Sequence, residues 1–194
     1  GGKEGSSVLD VSCGIGTQAL GLAKCGHSVT ASDLSSKEVE RAGQEASRLA
    51  LSIKLSVCDM REAYKHHKKQ FDVVLSADNS VPHLMSDEDI LLAFGQFYQC
   101  TRAGGLCIIT VRDYEKELAE SRKIRPYGVQ DRGDRRYLMF QVWDVEGTSY
   151  QVSLYCIEDM GTSCKAQVAR TKYNMVSVDR LMVLLKGVGF AEIE

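Results

Sequence analysis

The segment Val8-Leu9-Asp10-Val11-Ser12-Cys13-Gly14-Ile15-Gly16-Thr17-Gln18-Ala19 constrains this chain more than any other. Apolar Val8–Ser12 predicts a short buried strand. Glycines at 14 and 16 predict a tight turn whose backbone a ligand can approach closely. Thr17–Cys25 predicts a helix, with Gly26 as its C-cap. A buried strand, a glycine turn and a helix in that order open a nucleotide-binding α/β unit. The spacing Gly14-x-Gly16-x-x-Ala19 also satisfies the dinucleotide fingerprint, and glycine turns occur in purely structural joints, so the turn alone leaves its ligand open.

The next ninety residues repeat the alternation. Ser28–Ala31 predicts a second strand, and Ser35 or Ser36 can cap a helix running to about Leu51. Ile53–Val57 and Phe71–Ser76 predict the third and fourth strands. Asp87–Arg102 predicts a helix with Ile90, Leu91, Phe94, Phe97 and Tyr98 inward, and Gly104-Gly105 a turn into a fifth strand, Leu106–Val111. Strands separated by such helices pair in parallel with right-handed crossovers. Their apolar character throughout fits a sheet covered on both faces.

After Asp113 the pattern changes. Tyr114–Arg136 is charged and turn-rich, with Pro126, Gly128 and Gly133, and predicts a loop. Tyr137–Val145, Tyr150–Ile157 and Lys165–Tyr173 then predict three strands of a small antiparallel meander. Val178–Lys186 predicts a last helix and Phe190–Glu194 the start of a returning strand. The expected fold is α/β: a doubly wound, mostly parallel sheet with an antiparallel β meander inserted after strand five. We expect one domain over 1–194, with a ligand-binding core over 1–113, a loop and insertion over 114–174, and the last helix and returning strand over 175–194.

Composition narrows the partners. A formal net charge of −2 gives no bulk electrostatic support to a nucleic-acid or membrane role. No apolar run approaches the roughly 20 residues of a membrane helix, and the small, polar start Gly1 to Ser7 reads as no signal peptide. A cytoplasmic protein is expected. The seven cysteines form no C-x-x-C pair, and Cys13, Cys58, Cys107 and Cys156 sit in apolar runs, which fits reduced buried thiols. No metal site is expected, because the histidines lack ligand spacing; His66-His67 belongs to a solvated charged stretch, Lys65 to Lys69. Arg122–Arg136 holds six basic residues, diluted by nearby Glu120, Asp131 and Asp134. It reads as a solvated loop, with a lid or a nucleic-acid-facing loop as rivals.

Three carboxylates give the turn its chemistry. Asp10 lies near the end of the first strand, where an unpaired buried charge is costly, so it wants a donor such as a cationic amino-acid ligand. Asp33 ends the second strand, where a carboxylate accepts both hydroxyls of a ribose. Asp59 follows the third strand, where it can accept from an adenine amine while Met60 packs on the ring. Any one of them can be a helix cap. Three at the carboxyl edge of one parallel sheet favour a site, because open α/β sheets bind ligands there.

Taken together, LDVSCGIGTQ, Asp33, Cys58-Asp59-Met60, FDVVLSADNSVPHL at 71–84 and RAGGLCIITVRDY at 102–114 resemble the class I S-adenosylmethionine-dependent methyltransferases, from Val8 to the end of the chain. The resemblance implies a Rossmann-like methyltransferase fold and S-adenosylmethionine as cofactor. It implies cofactor contacts at Asp10, Cys13, Gly14, Gly16, Thr17, Asp33, Leu34, Asp59, Met60 and Ala77. A bulky residue at Gly14 or Gly16 should then block binding without unfolding the domain. Within that family, Asn79-Ser80-Val81-Pro82-His83-Leu84 and Arg112-Asp113-Tyr114 are similar to segments of glycine and glycine/sarcosine N-methyltransferases. There the arginine grips the substrate carboxylate and the asparagine helps to hold the substrate, which implies substrate contacts at Asn79, His83 and Arg112. Guanidinium suits a carboxylate because its donors match two oxygens. Asp78 departs from that group, which has glycine at this place.

The expected activity is methyl transfer to a small molecule, an amine or amino acid such as glycine or sarcosine. A nicotinamide-dependent oxidoreductase and a non-catalytic partner subunit with this fold are the alternatives. A nucleic-acid substrate fits poorly, since ADNS stands where a nucleic-acid methyltransferase carries Asn/Asp-Pro-Pro-aromatic. His83 is a candidate base, but capping or bonding its loop is the simpler reading. Arg112 faces two readings, a substrate carboxylate or an internal ion pair with Asp78.

Overall fold

In the computed structural model, residues 5–114 and 122–194 are described; 115–121, within the loop expected after Asp113, and the first four residues lie outside them. The chain divides into two compact units, Gly1–Arg112 with Val178–Glu194, and Asp113–Ser177.

The first unit contains a five-stranded parallel sheet: β1 (Ser7–Asp10), β2 (Ser28–Asp33), β3 (Lys54–Val57), β4 (Phe71–Ser76) and β5 (Thr101–Ile109), in spatial order β3-β2-β1-β4-β5. The order reverses between β1 and β4, which makes the carboxyl ends of those two strands the switch point of the sheet. Helix α1 (Thr17–Lys24) follows the glycine turn, α2 (Ser36–Arg48) packs on β2 and β3, and α3 (Ala63–His67) and α4 (Asp87–Cys100) follow β3 and β4. The last helix, α5 (Val178–Val188), packs on α4, where Arg180 and Asp87 form an ion pair. Side-chain caps start the longer helices: Ser35 accepts from the Glu38 amide on α2, and Ser86 from the Asp89 amide on α4. Val8, Cys13, Ala19, Val29, Ala31 and Val73 form a core cluster directly beneath the turn.

Two expectations for this unit are corrected. Strand five begins at Thr101 rather than at Leu106. Thr101 pairs with Phe71, the ladder resumes at Val73 with Leu106, and Gly104 and Gly105 sit in the irregularity between. A Cβ on Gly105 would lie 2.9 Å from the carbonyl oxygens of Arg102 and Asp72, so the bulge needs glycine there. Residues 190–194 form no strand. Phe190 instead sets its ring edge-on to Tyr98 of α4 at 5.2 Å, so packing on the helix claims the segment.

The second unit is a four-stranded antiparallel sheet in order β6-β7-β8-β9: β6 (Arg122–Arg132), β7 (Arg135–Glu146), β8 (Ser149–Asp159) and β9 (Cys164–Asn174). The meander therefore has four strands, and most of the expected basic loop is β6. Pro126 and Gly128 flank a register shift in this edge strand, where a missing amide donor is tolerated, and Gly133 at φ 63 turns the chain into β7. Tyr114, Trp143, Tyr150 and Val152 form this unit's core. The Trp143 indole donates to Gln141 at 2.9 Å, and Arg125 lies over its ring at 4.4 Å.

Candidate active site

At the carboxyl edge of the parallel sheet the strand ends are tied together by short bonds. The Val11 amide donates to the Leu75 carbonyl, Cys13 to Ser32, and Cys58 to Asp33, at 2.9, 3.0 and 2.9 Å. These bonds carry the order β3-β2-β1-β4 beyond the strands and hold the glycine turn against its neighbours. Gly14 and Gly16 have φ values of 53 and 90, in the left-handed region that favours glycine.

The two glycines serve different ends. A Cβ on Gly14 would meet only the Glu38 carboxyl, at 3.5 Å. A Cβ on Gly16 would meet the Ala42 methyl at 3.1 Å and Leu20 at 3.3 Å. Gly16 is thus closely packed between α1 and α2, so enlarging it presses on the fold as well as on the ligand edge.

Asp10, at the end of β1, is 1% exposed. One oxygen, Oδ1, accepts from the Ser12 amide at 3.3 Å; the other, Oδ2, is buried with no hydrogen-bond partner among the described residues. Burial, with a contribution from Asp33, pushes this carboxyl up to about 7. Asp33 sits one strand over. Its two oxygens accept from the Gly14 and Ser35 amides, each at 2.9 Å, so it fixes both the turn and the start of α2. Glu38 stands beside it, its carboxyl raised by burial and by Asp33.

Asp59 is built into its own network. Its Oδ1 accepts from the Arg61 amide, and the Arg61 guanidinium binds both oxygens at 2.7 to 3.2 Å before reaching Asp89 at 2.7 Å. Arg61 accordingly holds Asp59 below the usual carboxylate range. Cys13 is buried, and desolvation lifts its thiol to about 12, so it stays protonated and presents backbone rather than thiolate. Thr17 is the exposed first residue of α1, Met60 is half-buried, and Leu34 is exposed beside Asp33. Ala77 is buried, and its carbonyl accepts from the Ser80 hydroxyl at 2.7 Å.

The loop after β4 is locked to the exit of β5. Asp78 and Asn79 both hold positive φ, at 62 and 65. The Asp78 amide donates to the Thr110 hydroxyl at 2.9 Å and the Asn79 amide to the Thr110 carbonyl at 3.0 Å. The buried Asn79 side chain accepts from the Arg112 amide at 3.1 Å. His83 is exposed and ends a short 3-10 turn, with its amide bonded to the Ser80 carbonyl. The internal Arg112–Asp78 ion pair does not form: the Asp78 side chain has no hydrogen bond or ion pair among the described residues. The structure thus brings Asp10, the glycine turn, Asp33, Ala77, Asn79 and Arg112 to one sheet edge, with Asp59 latched to β2 through Cys58.

Several contributors escaped the sequence reading. Ser12 and Ser76 share a hydroxyl bond of 3.1 Å beside Asp10, Glu38 leans toward Gly14, and Arg61 occupies Asp59. Arg61 had a local signal, since a guanidinium two residues after a capping carboxylate can turn back onto it. Ser12 and Ser76 had none, because only the β1–β4 pairing joins them. A separate groove of about 1050 Å³ runs along the outer edge of β5, between Tyr98, Leu106, Ile108 and Phe190, and shares no residue with this edge. Among the described residues no group of three metal-ligating side chains assembles, and no helix is long and apolar enough to cross a membrane.

Residues 8–105 match the methyltransferase domain family, and the chain belongs to that family, within the class I S-adenosylmethionine-dependent methyltransferases. The chain is 30% identical to a glycine/sarcosine N-methyltransferase of Aphanothece halophytica over 116 residues, 60% of this chain and 44% of that protein. It is 29% identical to a glycine/sarcosine N-methyltransferase of Parasynechococcus marenigrum over 119 residues, 61% of this chain and 42% of the relative. These matches span less than half of each relative's length. Among solved structures the fold is similar to DesVI of Streptomyces venezuelae, with a TM-score of 0.80, 21% identity, and coverage of 96% of this chain and 76% of that one. It is similar also to an S-adenosylmethionine-dependent methyltransferase of Clostridium acetobutylicum, with a TM-score of 0.78, 17% identity, and coverage of 94% and 72%. The family's cofactor is S-adenosylmethionine, and the edge fits it chemically: a buried carboxylate oxygen without a donor suits a cationic group, and Gly14 leaves the turn bare.

Proposed function

We propose that this chain carries the methyl-transfer site of an enzyme that methylates a small amine or amino acid with S-adenosylmethionine. The observation that carries the reading is the orphaned Oδ2 of Asp10 at the switch point, beside the glycine turn and Asp33. When bound, the cofactor supplies an electrophilic methyl group on a sulfonium. Asp10 would hold its ammonium, Asp33 its ribose hydroxyls, and Asp59 with Met60 its adenine. Leu34 adds an exposed apolar ledge beside the ribose position, while Cys13, Thr17 and Ala77 contribute the surrounding backbone.

The acceptor side rests on β4 and β5. Asn79 fixes the backbone of Arg112 at 3.1 Å, so the guanidinium leaves the sheet from a constrained point. A guanidinium there suits a carboxylate-bearing amine, as the glycine/sarcosine N-methyltransferase names of the relatives also favour. The reaction mainly requires the nitrogen to be held in line with the methyl group and shielded from water. His83 can take a proton from its exposed position, but an amine with a free lone pair needs no dedicated base. We read the acceptor as a small molecule rather than nucleic acid or membrane, because the net charge is −2.

The test is a methyl-transfer assay with labelled cofactor across glycine, sarcosine, other amino acids, amino sugars and phenols. Label appearing on a carboxylate-bearing amine supports the reading. Label on phenols alone, or on no acceptor, would replace it.

A further inference from the structure

We propose that Asp78 is a specificity-determining residue that binds the nitrogen of the acceptor, so that the site takes acceptors carrying an ammonium or N–H group. The proposal rests on the methyl-transfer reading above for the identity of the site, and on the following observations for the residue.

Asp78 lies two residues past β4, at the switch-point edge of the sheet. Its φ is 62, and that of Asn79 is 65. A left-handed conformation is unfavourable for most non-glycine residues. Asp and Asn tolerate it best, because their short polar side chains can bond locally. Asn79 has a structural use for its side chain: it is buried and accepts from the Arg112 amide of the next strand's exit. Asp78 does not. Its backbone amide is held by the Thr110 hydroxyl, while its exposed carboxylate makes no hydrogen bond or ion pair among the described residues. Local structure would be served as well by glycine at this position. A carboxylate kept in a strained conformation, with no internal use, at the ligand edge of the sheet, is a feature that function explains and folding does not.

The chemistry of the neighbours sets the ligand class. Asp78 and Arg112 leave adjacent strands whose exits are stitched together through Thr110 and Asn79. An acidic residue with no side-chain partner among the described residues and a basic residue at the neighbouring strand exit suit a zwitterion. Arg112 would take the carboxylate and Asp78 the ammonium. A carboxylate also rejects hydroxy-acid analogues, which bring a weaker donor and no positive charge to it.

The test separates binding from turnover. The protein is saturated with S-adenosylhomocysteine, so no transfer occurs, and titrated by NMR with glycine, sarcosine and ethanolamine against glycolate, methoxyacetate and ethylene glycol. The wild type should prefer each amine over its oxygen counterpart by at least tenfold. Asp78→Asn should abolish that preference while leaving S-adenosylhomocysteine affinity within twofold. Asp78→Gly, which suits the positive φ, should lose the same preference while raising the melting temperature. A wild type without preference for any amine overturns the proposal, and so does either variant that retains the preference. A wild type that prefers amines but methylates none of them sinks the functional reading and leaves the role of Asp78 standing.

Discussion

The Asp10→Asn substitution puts a number on the cofactor side of the site. Burial moves the Asp10 carboxyl from 3.8 to about 7. At 1.36 kcal/mol per unit, the ionised form in the unliganded protein costs about 4 kcal/mol. The sign follows from proton counting. Between about pH 4 and pH 7 the unfolded chain has released the proton and the folded one retains it, so this group's contribution to stability falls as pH rises across that window and levels off above it. A cationic ligand reverses the balance by pairing with the ionised carboxylate. Taking an ordinary α-amino pKa of about 7.8 for the ligand, the fraction with Asp10 ionised and the ammonium charged rises about sixfold from pH 6 to pH 7.4. Affinity for S-adenosylmethionine should rise by that factor and then decline as the ligand loses its own proton. Calorimetry at several pH values, in buffers of different ionisation heat, reads both the affinity and the protons released. Asp10→Asn should remove the rising limb and stabilise the unliganded protein at pH 8 by up to about 4 kcal/mol. Affinity that is flat between pH 6 and 7.4 in the wild type would refute the pairing of Asp10 with the cofactor.

Three further substitutions test separate parts of the account. Gly16→Val should lose about 3 kcal/mol of stability in urea unfolding, from the 3.1 Å approach to Ala42 together with the φ of 90; unchanged stability would show that the turn relaxes freely. Asp33→Asn should weaken S-adenosylmethionine binding by about 1–3 kcal/mol and lower the melting temperature as well, because one residue serves the ligand and the Gly14 and Ser35 amides. A loss of stability with full affinity would confine Asp33 to structure. Arg112→Lys keeps charge but not the two-pronged geometry, so turnover on a carboxylate-bearing amine should fall at least tenfold, about 1.4 kcal/mol, with cofactor affinity unchanged. Equal losses on amines lacking a carboxylate would assign Arg112 to the loop alone.

The parallel core was legible because short β-prone runs alternate with helical segments and close on polar residues, Asp10, Asp33, Asp59 and Ser76, a signal carried by local sequence. β6 was not. Pro126 and Gly128 are loop residues in isolation, and they become strand residues only because an edge position tolerates a missing donor and a bulge absorbs the register shift. The residues after α5 failed in the opposite direction: Phe190 looks like a strand residue and is spent on Tyr98. At the site, the positions of Asp10, Asp33 and Asp59 could be read from strand ends, but their partners could not. Arg61 turns back onto Asp59 locally but reaches Asp89 only through the fold, and the role of Gly16 depends on Ala42, a residue of another element. The sequence also left the Arg112–Asp78 pair open. Its absence emerges from the way Thr110 and Asn79 hold the two backbones.

The central claim is that the glycine turn and its carboxylates bind S-adenosylmethionine. Titration calorimetry of the protein with S-adenosylmethionine and, separately, with a nicotinamide dinucleotide tests it most directly. S-adenosylmethionine should bind saturably and one-to-one, more weakly in Asp33→Asn, and the dinucleotide should give no heat. Saturable binding of the dinucleotide, with none of S-adenosylmethionine, would contradict it.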